Sequence, residues 1–241
     1  MKLIASLASA ESHEVLYVLL RSVRPFIQTH PELFTSQFRS FFLSAFDPAY
    51  LRKEKLAVLL LLLTETTTAP ILDELKEEAF SAPDFAPRIV KAIAHIPTQI
   101  PAAADPCVQT LLSIHTALPQ LSQDTIAAMC QLLVSHPTFI SALPRFLEGS
   151  NELYNEDAKC GVLFICGEHP TEIANAQSII AAFCEKYDEE SLPVRLQILT
   201  AAVKLAQAVP FEEPLQQVLQ RAAHSPTVIE RERAVALGQM H

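Results

Sequence analysis

The sequence predicts an all-α protein, a right-handed α-solenoid of HEAT/armadillo-like antiparallel helix pairs. Three observations predict it. Apolar residues recur at helical spacing along the whole chain, and no segment shows a convincing alternation of period two. Only 4 of 241 residues are Gly while 17 are Pro, and the prolines fall between apolar segments, where they start or end helices. A weak internal repeat is also present: Thr29-His30-Pro31-Glu32-Leu33-Phe34, Ser135-His136-Pro137-Thr138-Phe139-Ile140 and Glu168-His169-Pro170-Thr171-Glu172-Ile173 each follow one apolar helix and open another. The last two are 33 residues apart (169 − 136). The first two are 106 apart (136 − 30), or about three periods of 35. Such periods belong to solenoids, whose helix pairs bury their apolar faces by stacking on neighbours.

Taken in order, the expected helices are 2–10, 13–29, 31–45, 48–64, 69–81, 85–96, 104–117, 122–135, 138–148, 155–168, 171–187, 191–208, 212–223 and 226–239, forming one solenoid domain over 1–241 with about 13–14 helices. Several starts carry a mechanism. Asp47 before Pro48 reads as an N-cap followed by Pro at the first helical position. Ser122-Gln123-Asp124 can cap the run at 126–134, and Asn155-Glu156-Asp157 puts acceptors and negative charge at a helix N-terminus. Ser191 can cap the helix containing Pro193. That helix has two apolar stripes, Leu192/Leu196/Leu199/Val203 and Val194/Ile198/Ala202/Leu205. Two stripes require neighbours on two sides, as for a helix inside a stack.

Charge and composition exclude several functions. The net charge is −9, and no run of Lys and Arg supplies the stripe that nucleic-acid binding needs. The short cluster Arg52, Lys53, Lys55, interrupted by Glu54, reads as a solvated helix face, with a contact for acidic lipid as the alternative. The longest apolar run, Leu56–Leu63, is far shorter than the roughly twenty residues of a membrane span. The faint signal-peptide likeness of residues 1–10 is broken by serines and reads as a helix. Cys107, Cys130, Cys160, Cys166 and Cys184 are odd in number, lack a C-x-x-C pair and read as buried, reduced thiols of a cytosolic protein.

Chemistry-bearing motifs are sparse. His13-Glu14 begins like a zinc-protease H-E-x-x-H, but Tyr17 stands at the second ligand position. No phosphate-binding glycine loop and no nucleophile elbow occur. Cys160 and Cys166 are six apart, poor spacing for two ligands on one helix. The acidic pairs Glu77-Glu78 and Glu189-Glu190 read as solvated charge. No catalytic, cofactor-binding or metal-ligating residue is therefore assigned, and no cofactor is expected. Gly161 and Gly167 are the informative glycines. The expectation is close approach of a neighbouring helix at Gly161 and a positive-φ helix end at Gly167.

At residues 161–205 the sequence resembles a family. Gly161-Val162-Leu163-Phe164-Ile165-Cys166-Gly167-Glu168 is similar to the hydrophobic-Gly-Glu segment in the trunk of β-adaptins, the large β subunits of clathrin-adaptor complexes. The likeness continues through Ile173-Ala174-Asn175-Ala176 and from Val194 to Leu205. Upstream, the stretch from Asp47 to Leu56, then Leu72-Asp73-Glu74-Leu75-Lys76-Glu77, and His30-Pro31-Glu32-Leu33 resemble further family motifs in the family's order, covering roughly residues 13–223. Phe164 and His169 stand where the family often has Trp and Tyr.

The resemblance implies the C-terminal half of a β trunk, without hinge or ear. It further implies a non-catalytic scaffold of a vesicle coat, bound to medium, small and second large adaptor subunits and peripheral on Golgi, endosomal or plasma-membrane coated vesicles. It assigns no partner-contacting residue. Direct clathrin binding is not expected, because the family's Leu-rich acidic box lies in the hinge, and Leu192 and Leu196 lie on a helix instead. The alternatives are an unrelated HEAT scaffold of the nuclear-transport or phosphatase kind, or a coatomer large subunit. Leu3, Ile4 and Leu7 share an apolar face expected to favour association, whereas the polar run Glu230-Arg231-Glu232-Arg233 reads as a solvated end cap.

Overall fold

The computed structural model describes residues 12–44, 46–148 and 153–239, all helices, turns and loops. The chain folds as two compact units, Met1–Leu121 and Ser122–His241.

Unit one holds α1 (His13–Thr29), α2 (Ala49–Leu61), α3 (Thr68–Ser81), α4 (Ala86–Gln99) and α5 (Ala104–Ala117). Ser12 caps α1 by accepting from the Val15 N–H. Successive helices pack as α1 on α2, α3 on α4 and α4 on α5, and alternate helices also touch, α2 with α4 and α3 with α5. Short connections and packing between alternate helices together define a two-layer stack.

Unit two repeats this with α6 (Ser122–Ser135), α7 (Leu143–Leu147), α8 (Glu156–Glu168), α9 (Ala176–Glu185), α10 (Leu192–Ala208), α11 (Glu212–Ala223) and α12 (Val228–Gly238). α6, α8, α10 and α12 form one layer in register, while α9 and α11 pair in the other. α10 touches α8, α9, α11 and α12, so its two apolar stripes have two sets of neighbours. Val194, Ile198, Leu199, Ala202, Val203 and Leu205 are buried, and Leu192 and Leu196 half-buried.

Side-chain bonds between neighbouring turns of the stack recur at a nearly constant sequence distance. Lys159 to Glu190 and Tyr154 to Gln123 are 31 apart, Arg24 to Glu54 is 30, Arg233 to Thr200 is 33, Ser191 to Glu156 is 35 and Lys204 to Glu168 is 36. This is the predicted repeat length, seen as physical cross-links.

The structure corrects several expected elements. Where a helix is expected over 31–45, the described residues 31–44 form no α-helix: two 3-10 turns, Pro31–Leu33 and Thr35–Phe41, give way to extended chain at Phe42. There the backbone finds other partners, since Leu43 N–H donates to Glu74 at 2.9 Å and Lys55 donates to the Phe42 carbonyl at 3.1 Å. The helix expected from 171 starts at Ala176, after Glu172 and Ile173 N–H turn back onto the His169 carbonyl. The segment 138–148 splits into a 3-10 stretch, Pro137–Ala142, and α7. Asp47 is not an N-cap: Pro48 holds that position, and the Asp47 carboxylate accepts from Ser44 N–H and from Lys55 Nζ. Ser191 sits at the N-cap of α10, but its hydroxyl donates to Glu156. The expected helix 2–10, with Leu3, Ile4 and Leu7, lies outside the described residues.

Cys107, Cys130, Cys166 and Cys184 are buried free thiols, and Cys160 is half-buried. Burial pushes the thiols of Cys107, Cys166 and Cys184 up to about 12, which suppresses the reactive thiolate at neutral pH. A thiol reagent at neutral pH should therefore modify Cys160 first and the other four only on unfolding. Equal fast labelling of all five would contradict the packing.

Candidate partner-binding surface

The residues singled out for chemistry are not assembled into a reactive site. His13 and Glu14 are exposed on α1, while Tyr17 accepts a hydrogen bond from Arg21 and packs edge-on against Tyr50 at 5.2 Å. Cys160 and Cys166 face different surroundings, with Cys166 buried near Cys130. Among the described residues no group of three or more His, Cys, Asp and Glu is placed to hold a metal ion.

Charges read as solvated turn out to be structural. Lys55 is buried against Asp47 at 2.6 Å, and Arg52 reaches Glu78 at 3.5 Å, with only Lys53 of that cluster exposed. Burial raises the Glu78 carboxyl above its ordinary range, against the opposing pull of Arg52. Glu190 holds Lys159 through both oxygens at 2.7 and 2.8 Å. In the run expected to cap the C-terminal end, Glu230 is 0% exposed and accepts from Tyr187 and from Ser225 Oγ, with Arg195 at 3.5 Å. The stack brings three polar groups to this one side chain, which local polarity alone does not reveal.

The two glycines set helix spacing. A Cβ on Gly161 would lie 2.6 Å from Cys130 Cβ, the expected close approach. Gly167 corrects its expectation: it lies inside α8, with no positive φ. A Cβ there would lie 2.9 Å from Ala201 Cα on α10. α8 is thus clasped between α6 and α10 at nearly backbone contact.

What remains is surface. In unit one, Val15, Val18 and Phe26 form an exposed apolar stripe on α1, with Leu33 also exposed on the turn beyond it. Phe46 is 87% exposed, beside the turn that Lys55 pins through Asp47. In unit two, a groove of about 640 Å³ runs between α7, α8 and α9, with Leu147, Val162, Ile173, Ile179 and Phe183 among its apolar lining. Glu148, Glu189, Lys186 and the Lys159–Glu190 pair also line it. Exposed apolar stripes and grooves on a rigid stack are what protein recognition uses.

Comparison with known proteins agrees with this architecture. The family model described as "Adaptin N terminal region" matches residues 2–241. The AP-1 complex subunit beta-1 proteins of Mus musculus and Homo sapiens are each 34% identical over 224 residues, 91% of this chain and 24% of theirs. The AP-4 complex subunit beta-1 of Mus musculus is 29% identical over 94% of this chain and 31% of its own length. The chain therefore spans about a quarter to a third of the curated relatives it matches. A chain in a full-length AP-3 complex model has the same fold, with a TM-score of 0.72 over 99% of this chain and 44% of that one at 17% identity. The α-solenoid, the ordered motifs from His30 to Leu205 and the family match over residues 2–241 agree, and the chain belongs to the adaptin N-terminal family.

Proposed function

We propose that this chain is a non-catalytic scaffold of a vesicle-coat adaptor complex, acting in vesicle-mediated protein transport by holding other adaptor subunits. The observation that carries it is the match of nearly the whole chain to β subunits of AP complexes. The physics supports it. Buried ion pairs and glycine contacts fix the helix spacing, so the outer faces are presented without the ordering entropy that a flexible surface loses on binding. The partners are a medium, a small and a second large subunit. The site of action is the cytoplasmic surface of Golgi, endosomal or plasma-membrane vesicles, reached through the assembled complex. Among the described residues no helix is long and apolar enough to cross a membrane.

Clathrin is not assigned to this chain. Leu192 and Leu196 are half-buried on α10 rather than displayed on an extended segment. The chain alone should fail to bind the clathrin terminal domain, and micromolar binding in a titration would refute that.

Affinity purification from the protein's own cell, read by mass spectrometry, tests the main proposal. Small, medium and second large adaptor subunits are the expected set. A nuclear-transport or phosphatase set would replace the adaptor reading with that of an unrelated helical-repeat scaffold.

A further inference from the structure

We propose that the groove between α7, α8 and α9 is a docking site for a partner peptide segment that carries apolar anchors flanked by Lys or Arg. The inference goes beyond the scaffold role and does not rest on which complex the chain joins.

The floor supplies the apolar half of the argument. Val162 and Ile173 are buried, while Leu147, Ile179 and Phe183 are half-buried and keep part of their apolar surface open to the groove. A volume of about 640 Å³ holds several apolar side chains entering from one segment. The walls are preformed. Gly161 and Gly167 clasp α8 to its neighbours, and Lys159 ties α8 to Glu190 at the far rim. Little ordering entropy therefore opposes binding.

The rim selects the flanking charge. Lys159 is neutralised by its two contacts to Glu190, leaving exposed Glu148 and Glu189 at the edge with Lys186 as the other lining cation. Both ends of α9 meet the groove, Asn175 at its N-terminus and Lys186 at its C-terminus, so the charge preference rests on the carboxylates of the rim. The balance favours a cationic segment and opposes acidic peptides, phosphates and anionic lipid headgroups. Asn175, exposed and with no cap hydrogen bond, lines the groove with an amide able to meet a peptide backbone.

The test is a fluorescence anisotropy titration of the full chain with a labelled peptide of about twelve residues, bearing Leu at i, i+4 and i+7 between pairs of Lys. A sister peptide with Glu in place of Lys and vesicles containing phosphatidylserine complete the set. Saturable binding of the Lys peptide with Kd on the order of micromolar, and at least about tenfold weaker binding of the Glu peptide, is expected. Glu148→Lys with Glu189→Lys should weaken the Lys peptide by about tenfold and improve the Glu peptide. Both positions are exposed, so this variant should keep its fold. Ile179→Ser should weaken both peptides. Three outcomes would overturn the proposal: equal affinity for both peptides whatever the rim charge, no binding of the Lys peptide at millimolar concentration, or binding only to the vesicles.

Discussion

Gly167→Ala is expected to destabilise the protein by about 2–3 kcal/mol and to lower its melting temperature by about 5–10 °C. In an exposed helix the same change would stabilise by about 1 kcal/mol, because Ala is the better helix former. Here the new methyl would lie 2.9 Å from Ala201 Cα and 3.2 Å from its Cβ. The nearest obstacle is backbone, so α8 and α10 must separate, and among the described residues these two helices share the most extensive packing.

Gly161→Ala faces a different obstacle, Cys130 Cβ at 2.6 Å and Sγ at 3.3 Å. Both are side-chain atoms. The two sites should therefore differ in rescue. Cys130→Gly should recover part of the loss at Gly161, less its own cost of about 0.3 kcal/mol in helix propensity and the lost burial of the thiol side chain. Ala201→Gly should not recover Gly167→Ala, because the Cα obstacle remains. Thermal unfolding of the single and double variants reads both effects. An unchanged melting temperature for Gly167→Ala would show that the helices are not in backbone contact.

Glu230→Ala should cost about 3–5 kcal/mol, the range for breaking a buried charge cluster by removing one member. It would strand the buried Tyr187 hydroxyl, the Ser225 hydroxyl and the partly buried Arg195 guanidinium together. Glu230→Gln keeps the shape and one acceptor and should lose less. Hydrogen exchange provides a local readout: amides of α12 should exchange faster in Glu230→Ala, since Glu230 joins α12 to α10 and to the Tyr187 turn. A loss below about 1 kcal/mol would mean that water replaces the carboxylate.

The same cluster sets an alkaline dependence. Burial first, then the hydrogen bond to Glu230, raises the Tyr187 phenol above its ordinary value of 10. The folded state holds this proton where the unfolded chain releases it, so stability is full below pH 10 and falls as pH rises beyond. Tyr187→Phe should remove this component of the alkaline loss, while the contribution of the buried thiols stays common to both proteins.

The local features were legible because their causes are local. The α10 stripes, the Asn155 cap on Ala158 N–H and the prolines in the first turns of α4, α7 and α10 follow from side-chain spacing and backbone chemistry within one or two turns. Pro25 and Pro97, by contrast, lie inside α1 and α4, and α4 runs on to Gln99 past its expected end at 96. The His-Pro punctuation at 30–31, 136–137 and 169–170 marks helix ends in the structure, and the repeat length it suggested is that of the cross-links from Lys159 to Glu190 and from Arg233 to Thr200. The helix expected over 31–45 gives way to 3-10 turns and extended chain, because side chains of α2 and α3 satisfy the backbone at 42–43. Asp47 misled likewise, taken by Lys55 rather than by the helix start.

The sequence by itself determined the helical class, the period of the stack and the adaptin resemblance, since each is carried by patterns repeated along the chain. The tertiary structure alone decided the meaning of single residues. Glu230 is a buried acceptor rather than a solvated cap, and Gly167 is a contact point rather than a left-handed helix end. The groove exists only where α7, α8 and α9 converge. The physical reason is distance along the chain. These outcomes depend on which groups packing brings within about 4 Å from some thirty residues away, and no local pattern encodes that proximity.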